Sequence, residues 1–162
     1  MVLIGLGSNL DSPRYGSPPH ILSAALTELE TRGVGVARRS SWYRSEPVPP
    51  SGQPWFINAV AILETELGAA DLLDVLQRVE TQFGRVRSAP NAARTLDLDL
   101  LDHDGAAVAT PALTLPHPRL HLRRFVLLPL AEIAPSWRHP RLGLGAAELL
   151  AQLATAERVE RL

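Results

Sequence analysis

Two aspartates alternate with leucines near the middle of the chain. Residues 94–105 read RTLDLDLLDHDG, so that Asp97 and Asp99 are separated by one residue. On a β-strand, residues i and i+2 project from one face, roughly 6.5–7 Å apart. An unpaired buried carboxylate costs several kcal/mol, so this face must meet solvent or positive charge. The pair suits two Mg²⁺ ions, which bind carboxylates, water and substrate phosphates; solvated acids on an edge strand are the alternative.

Three arginines, Arg85, Arg87 and Arg94, precede the aspartates in the chain. A guanidinium binds phosphate oxygens bidentately, and phosphoryl transfer depends on positioning and on charge neutralisation. The alternative is that these arginines form salt bridges with the same aspartates. The sequence contains no lysine, which excludes the phosphate-loop kinases and the protein kinases because both require one.

Two further groups of residues have side chains that suit a nucleotide. His117 and Arg123, in and after the stretch LPHPRLHLR, could donate to phosphates, although a histidine between two prolines also suits a structural role. Leu73, Gln77 and Glu80 recur at helical spacing, and the two polar ones could bind ribose or adenine. A solvated helix face is the alternative for Gln77 and Glu80.

Phe56 and Asn58 share one face of a predicted strand beside a proline-rich loop. An amide can pair bidentately with a flat amide-like heterocycle, and a phenyl ring can stack on it. These residues therefore indicate a site for a flat heterocycle, or else a core phenylalanine and an edge asparagine.

Composition limits the classes of protein to consider. At 162 residues, the chain is expected to be one domain, residues 1–162. The net charge of −1 gives no support to general nucleic-acid binding, which needs a basic surface. There is no cysteine, and no apolar run approaches the roughly 20 residues of a membrane helix. We expect a cytoplasmic monomer without a membrane or nucleic-acid partner.

The elements that must position these residues follow from hydrophobic periodicity and turn signals. The pattern predicts strands at 2–7, 34–45, 55–67 and 95–102, a short strand at 107–110 paired with the last of these through an Asp104-Gly105 turn, and helices at 18–32, 70–83, 124–134 and 145–154. The resulting β-α-β-β-α-β order predicts an α+β fold, a ferredoxin-like split βαβ sandwich with extra C-terminal helices.

Seven motifs occur in an order that resembles a known family. They are GLGSNL, SSWYRSEPV, QPWFINAV, GRVR, RTLDLDLL, LPHPRL and RRFVLLPLAEIAP, between Ile4 and Pro135. Together they resemble the 6-hydroxymethyl-7,8-dihydropterin pyrophosphokinases of folate synthesis. The combination of RTLDLD with LPHPR downstream is specific, whereas the glycine turn alone is not.

The resemblance implies transfer of pyrophosphate from ATP to the hydroxymethyl group of the pterin, with release of AMP. It implies that Asp97 and Asp99 bind two Mg²⁺ ions and that, with Arg85 and Arg94, they are catalytic. It assigns ATP binding to Leu73, Gln77, Glu80, Arg85, Arg87, Arg94, His117 and Arg123. It assigns pterin binding to Ser45, Val48, Phe56, Asn58 and Phe125, with backbone groups supplied by Ser45 and Val48.

The arginine loop departs from the family pattern. Residues 90–94 read PNAAR, where the family usually carries a tryptophan and a glycine, and Glu46 stands where proline is common. Two rival functions follow: a degenerate, inactive homologue, and a ligand-binding or RNA-binding module on the same fold. An RNA-binding sheet needs exposed aromatic residues and a basic face, which a near-neutral chain with 5% aromatic residues does not favour.

Overall fold

The computed structural model describes residues 1–85, 92–154 and 157–162. This part of the chain contains β-strands and α-helices in mixed order. The strands are β1 (Val2–Ser8), β2 (Gly35–Arg39), β3 (Tyr43–Ser45), β4 (Phe56–Glu64), β5 (Asp97–His103), β6 (Val108–Ala109), β7 (Thr114–Leu115) and β8 (Val159–Arg161). The helices are α1 (Pro18–Thr31), α2 (Ala69–Gln82), α3 (Arg124–Ile133) and α4 (Ala146–Gln152). Among the described residues, no helix is long and apolar enough to cross a membrane.

The main sheet is antiparallel, in the order β5-β1-β4-β3-β8, and β2 also pairs with β4. Helices α1 and α2 connect its strands in the order β1-α1-β2-β3-β4-α2-β5, which confirms the α+β prediction, with the predicted second strand present as β2 and β3. Both helices pack on one face of the sheet, where Leu98 and Leu100 of β5 belong to a buried cluster with α1 and α2. This packing explains the alternating leucines, because they point into the core while the aspartates between them point to the opposite face.

The opposite face of the sheet is only partly covered. A second buried cluster joins Leu3, Val60 and Leu101 to the apolar sides of α3 and α4. Helix α3 continues across Pro129, which is buried inside it. Since α3 and α4 pack over one part of this face, the ends of β1, β4 and β5 that carry Gly7, Asn58 and Asp97 remain available for a site.

Two predictions about local structure were wrong, and one strand was missed. The strand predicted at 34–45 is divided into β2 and β3, because Ser40 between them uses its hydroxyl to accept the N–H of Val60, 3.0 Å away. The Asp104-Gly105 turn exists, but β6 pairs with β7 instead of β5. Asp104 instead contacts the chain start, with its N–H donating to the Met1 carbonyl at 2.9 Å. Strand β8 was not predicted, since three residues are too short to show a pattern.

Candidate active site

Two cavities lie side by side on the partly covered face. The first cavity has a volume of about 410 Å³ and the second about 370 Å³. Four charged residues line both cavities and are called here the charged junction: Arg94, Asp97, Asp99 and Arg123. The residues that the sequence assigned to two different ligands therefore line two adjacent cavities, and the charged junction forms the boundary between them.

Strand register places the two aspartates at this boundary. Gly7 of β1 lies opposite Asp97 on one side and Asn58 on the other, and Gly5 lies opposite Asp99. Directly opposite residues share a face, so Asp97 and Asn58 are separated by a residue without a side chain. A Cβ atom at Gly7 would lie 3.3 Å from Asn58 Oδ1. The glycine therefore keeps the floor of the first cavity open.

Asp97 is neutralised by arginines. Arg85 is in ion-pair contact with both Asp97 and Glu80, and Arg94 Nη1 lies 3.4 Å from Asp97 Oδ2. Glu80 is buried rather than solvated, it accepts the N–H of Leu98 at 2.9 Å, and burial raises its pKa. The salt bridges considered as an alternative for the arginines are thus present in this structure, and they hold Arg85 at the edge of the second cavity.

The negative charge of Asp99 is balanced by fewer arginines than that of Asp97. Arg123 Nη1 lies 3.7 Å from Asp99 Oδ2. Burial, followed by the negative charge of Asp97, raises the pKa of Asp99 to about 7. Ionisation of Asp99 in this position is unfavourable without a further positive charge.

The donor set of Asp97 and Asp99 fits Mg²⁺. Both side chains are hard oxygen donors on one strand face, and both line the open junction. No group of three or more His, Cys, Asp or Glu side chains suited to a metal occurs among residues 1–85, 92–154 and 157–162. A cation held here would need oxygen atoms from water or from a phosphate-bearing ligand, as is usual for Mg²⁺.

The five residues predicted to bind a flat heterocycle all line the first cavity: Ser45, Val48, Phe56, Asn58 and Phe125. Asn58 is buried, and its Nδ2 donates to Ser45 Oγ at 2.6 Å. The Ser45 side chain therefore orients the amide, a contact the sequence did not indicate. The phenylalanines come from β4 and α3, so that only the fold brings them to the same cavity.

The residues predicted for the nucleotide line the second cavity where the structure describes them. Leu73, Gln77 and Glu80 come from α2, and Arg85, His117 and the junction residues Arg94 and Arg123 line the cavity with them. Arg87 lies outside the described residues, as do Pro90 and Asn91 of the divergent loop. The second cavity therefore unites residues that are far apart in sequence around paired arginines and carboxylates.

His117 is a neutral donor in this cavity. Its Nδ1 accepts the backbone N–H of Arg119 at 3.1 Å, which assigns the ring proton to Nε2. Burial, followed by the positive charge of Arg123, lowers the pKa of His117 to about 4. The imidazole therefore suits a hydrogen bond to a phosphate oxygen without adding a positive charge at neutral pH.

Asn9 supports the site through Arg94, and the sequence analysis missed this role. It is buried, its Oδ1 accepts the N–H of Arg94 at 2.8 Å, and its N–H donates to the Arg94 carbonyl at 3.1 Å. Its Nδ2 donates to Gln53 and to the Pro54 carbonyl. Asn9 thus links the proline-rich loop to Arg94. The only signal was a polar residue directly after a buried strand, in the motif GLGSNL.

Comparison with known proteins supports the same assignment. Residues 3–135 match the model of the 7,8-dihydro-6-hydroxymethylpterin-pyrophosphokinase family. A relative from Pseudomonas aeruginosa, named 2-amino-4-hydroxy-6-hydroxymethyldihydropteridine pyrophosphokinase, is 44% identical over 99% of this chain and 96% of the relative. The relative with this name from Synechocystis sp. is 41% identical over 93% of this chain and 75% of the relative. The one from Haemophilus influenzae is 44% identical over 81% of this chain and 79% of the relative. The chain therefore belongs to the 7,8-dihydro-6-hydroxymethylpterin-pyrophosphokinase family.

Proposed function

We propose that the protein transfers the β,γ-pyrophosphate of ATP to the hydroxymethyl group of 6-hydroxymethyl-7,8-dihydropterin, releasing AMP, in folate biosynthesis. The observation that carries the proposal is the charged junction shared by two cavities. A nucleotide in one cavity and a pterin in the other would meet where arginines and carboxylates are concentrated. Family membership and the names of the relatives support the same reaction.

The pterin belongs in the first cavity. Asn58 supplies an amide whose orientation is held by Ser45, and this amide can pair with the amide-like edge of a pterin. Phe56 and Phe125 supply apolar surface for the ring faces. The hydroxymethyl group would then point toward the charged junction, which also lines this cavity.

ATP belongs in the second cavity, with its phosphates at the junction. Arg85, Arg94 and Arg123 place three guanidinium groups there, and His117 adds a neutral donor. Arg94 and Arg123 line both cavities, so they are placed to contact the group in transfer. Charge that develops on the AMP leaving group is neutralised by guanidinium groups already in position.

The bond changes balance without a covalent intermediate on the protein. A bond forms between the pterin hydroxymethyl oxygen and the β-phosphorus, and the bond from that phosphorus to the α,β-bridging oxygen breaks. AMP retains the bridging oxygen, and the hydroxyl proton is released. Asp97 and Asp99 would hold two Mg²⁺ ions, which would neutralise phosphate charge and make the hydroxyl proton easier to release.

One incubation tests the reaction. The protein with ATP, Mg²⁺ and 6-hydroxymethyl-7,8-dihydropterin should yield AMP and a pterin diphosphate in equal amounts, measured by chromatography. ADP as the main nucleotide product would contradict pyrophosphate transfer, and no turnover would favour the inactive homologue. The following points stay predictions: a cytoplasmic location, a monomeric state, one domain over residues 1–162, and the absence of nucleic-acid and membrane partners.

A further inference from the structure

We infer that residues 157–162, called here the C-terminal segment, hold the two walls of the first cavity at their working separation and thereby set pterin affinity. The inference rests on the proposed function. The segment lies beyond residues 3–135, which the family model matches. It contacts both the loop that follows β3 and the N-terminus of α3, and both of these regions line the cavity.

The first contact fixes the loop wall. Strand β8 pairs with β3, with Ser45 opposite Val159. The pairing extends by one more bond, from the Glu46 N–H to the Arg158 carbonyl at 3.1 Å. Residues 46–49 follow at once and line the cavity together with Ser45. The backbone at the start of this wall is therefore held by the C-terminal segment.

The second contact fixes the helix wall. Glu157 Oε2 accepts the backbone N–H of Arg124, the first residue of α3, at 3.0 Å. A carboxylate at this end satisfies a free N–H group and interacts favourably with the helix dipole. Arg123 and Phe125, on either side of Arg124, both line the cavity, as does Glu157 itself. Glu157 is therefore a positioning residue for a phosphate contact and for a ring contact.

The segment has its own anchors, so it can hold these walls. Arg44 and Glu160 form an ion pair at 2.6 Å, and the Leu162 N–H donates to the Trp42 carbonyl at 3.0 Å. The guanidinium carbons of Arg44 and Arg158 lie 4.8 and 5.1 Å from the centroid of the Trp55 ring. These contacts attach the segment to strand β3 and to the residue before Phe56.

The effect should be larger for the pterin than for ATP, although Arg123 also lines the second cavity. Glu157 lines the first cavity, whereas no described residue of the C-terminal segment lines the second. Loss of the Glu157 contact leaves the second cavity with its own supports from α2 and β5. A merely structural residue would instead lower the fraction of folded protein and leave both Michaelis constants unchanged.

The test is a comparison of Glu157→Ala with the unaltered full chain. We expect the KM for the pterin to rise roughly 5-fold, the size of losing a helix cap, with the KM for ATP and kcat within about 2-fold. Glu157→Gln keeps an acceptor oxygen and should restore most of the affinity. Glu148→Ala is the matched control, because Glu148 accepts the Gly145 N–H at 3.1 Å at the start of α4, and Glu148 lines neither cavity.

A second pair of variants tests the loop contact. Glu46→Pro removes the N–H that donates to Arg158, whereas Glu46→Ala removes only the side chain. We expect Glu46→Pro to have a pterin KM roughly 5-fold above that of Glu46→Ala, as for the loss of one hydrogen bond. Hydrogen exchange should increase at residues 45–49 in Glu46→Pro and at the first turn of α3 in Glu157→Ala.

The outcomes separate this inference from the proposed function. An unaltered protein that forms no AMP, or that binds no pterin, overturns the proposed function and this inference with it. An active protein in which Glu157→Ala has an unchanged pterin KM overturns the inference alone. An equal rise for pterin and ATP, or an equal effect of Glu148→Ala, also overturns it, because the Glu157 contact would then have no specific effect on the pterin.

Discussion

The two cavities are held open by different means. The first combines residues of β1, β3, β4 and α3 with Glu157 near the chain end, and its recognition groups are one oriented amide and two phenyl rings. The second draws its polar groups from α2, β5 and the segment around His117, and it adds Arg85 and Glu80 to the charged junction. A flat ring is recognised by the shape of its cavity, and residues from many elements must be held in position to form that shape. A polyphosphate is recognised by charge, which tolerates small displacements.

The junction between the cavities should give the largest effect. Asp97→Asn and Asp99→Asn should each reduce turnover by at least ~100-fold, the scale of losing one well-placed charged group in a transition state. The assay is AMP formation with Mg²⁺ and saturating substrates. Asp74→Asn is the control, because Asp74 is exposed on α2 and pairs only with Arg78 among the ion pairs of the described chain. Near-normal turnover in either junction variant would remove that residue from the active site.

The contrast between shape and charge can be tested with one amide in each cavity. Asn58→Ala should raise the KM for the pterin by about 10- to 100-fold, because a buried, oriented donor–acceptor pair is lost. Gln77→Ala should raise only the KM for ATP, by about 2- to 5-fold, since it removes one polar contact. Steady-state kinetics with each substrate varied in turn measures both. Equal effects on both substrates would show that the cavities do not act separately.

The two aspartates should differ in their effect on stability without metal. Asp97 is paired with Arg85 and Arg94, whereas Asp99 has Arg123 at 3.7 Å and the like charge of Asp97 nearby. Asp97→Asn should therefore lower the free energy of unfolding by about 1–2 kcal/mol, and Asp99→Asn should leave it unchanged or raise it by roughly 1 kcal/mol. Urea unfolding with chelator at pH 8 measures both. Equal changes would contradict the asymmetry of the ion pairs.

His117 should produce the smallest effect, on the pH dependence of stability. Its pKa is about 4 in the folded chain and about 6.5 in an unfolded chain. Below pH 6.5 the unfolded chain binds a proton that the folded chain does not, so stability is lost as the pH falls from about 6.5 toward 4. Arg119, Arg123 and Asp97 act on this group and are unchanged in the variant His117→Gln.

The variant should therefore lose stability less steeply than the unaltered protein across this interval. Urea unfolding at pH 7, 6 and 5 measures the two slopes. His139, whose pKa burial also lowers, remains in both proteins and contributes equally. Parallel slopes would contradict the neutral state assigned to the His117 ring.

Much of the charged half of the site could be predicted from the sequence. Asp97 and Asp99 lie on one face because strand periodicity requires it. Leu98 and Leu100, which alternate with them, belong to the core as that pattern predicts. The α+β fold and the arrangement of Leu73, Gln77 and Glu80 on one helix likewise depend on local periodicity. These features repeat over a few residues, so the sequence alone contains the information.

The tertiary structure decided which distant residues meet. Strand register, not local pattern, places Gly7 between Asp97 and Asn58. The pairing of β6 with β7 and the break at Ser40 depend on partners that the local sequence does not indicate. The same holds for Asn9 on Arg94 and for Glu157 on the first turn of α3. A single side chain that bonds a backbone group dozens of residues away leaves no periodic signal, so only the folded chain shows its partner.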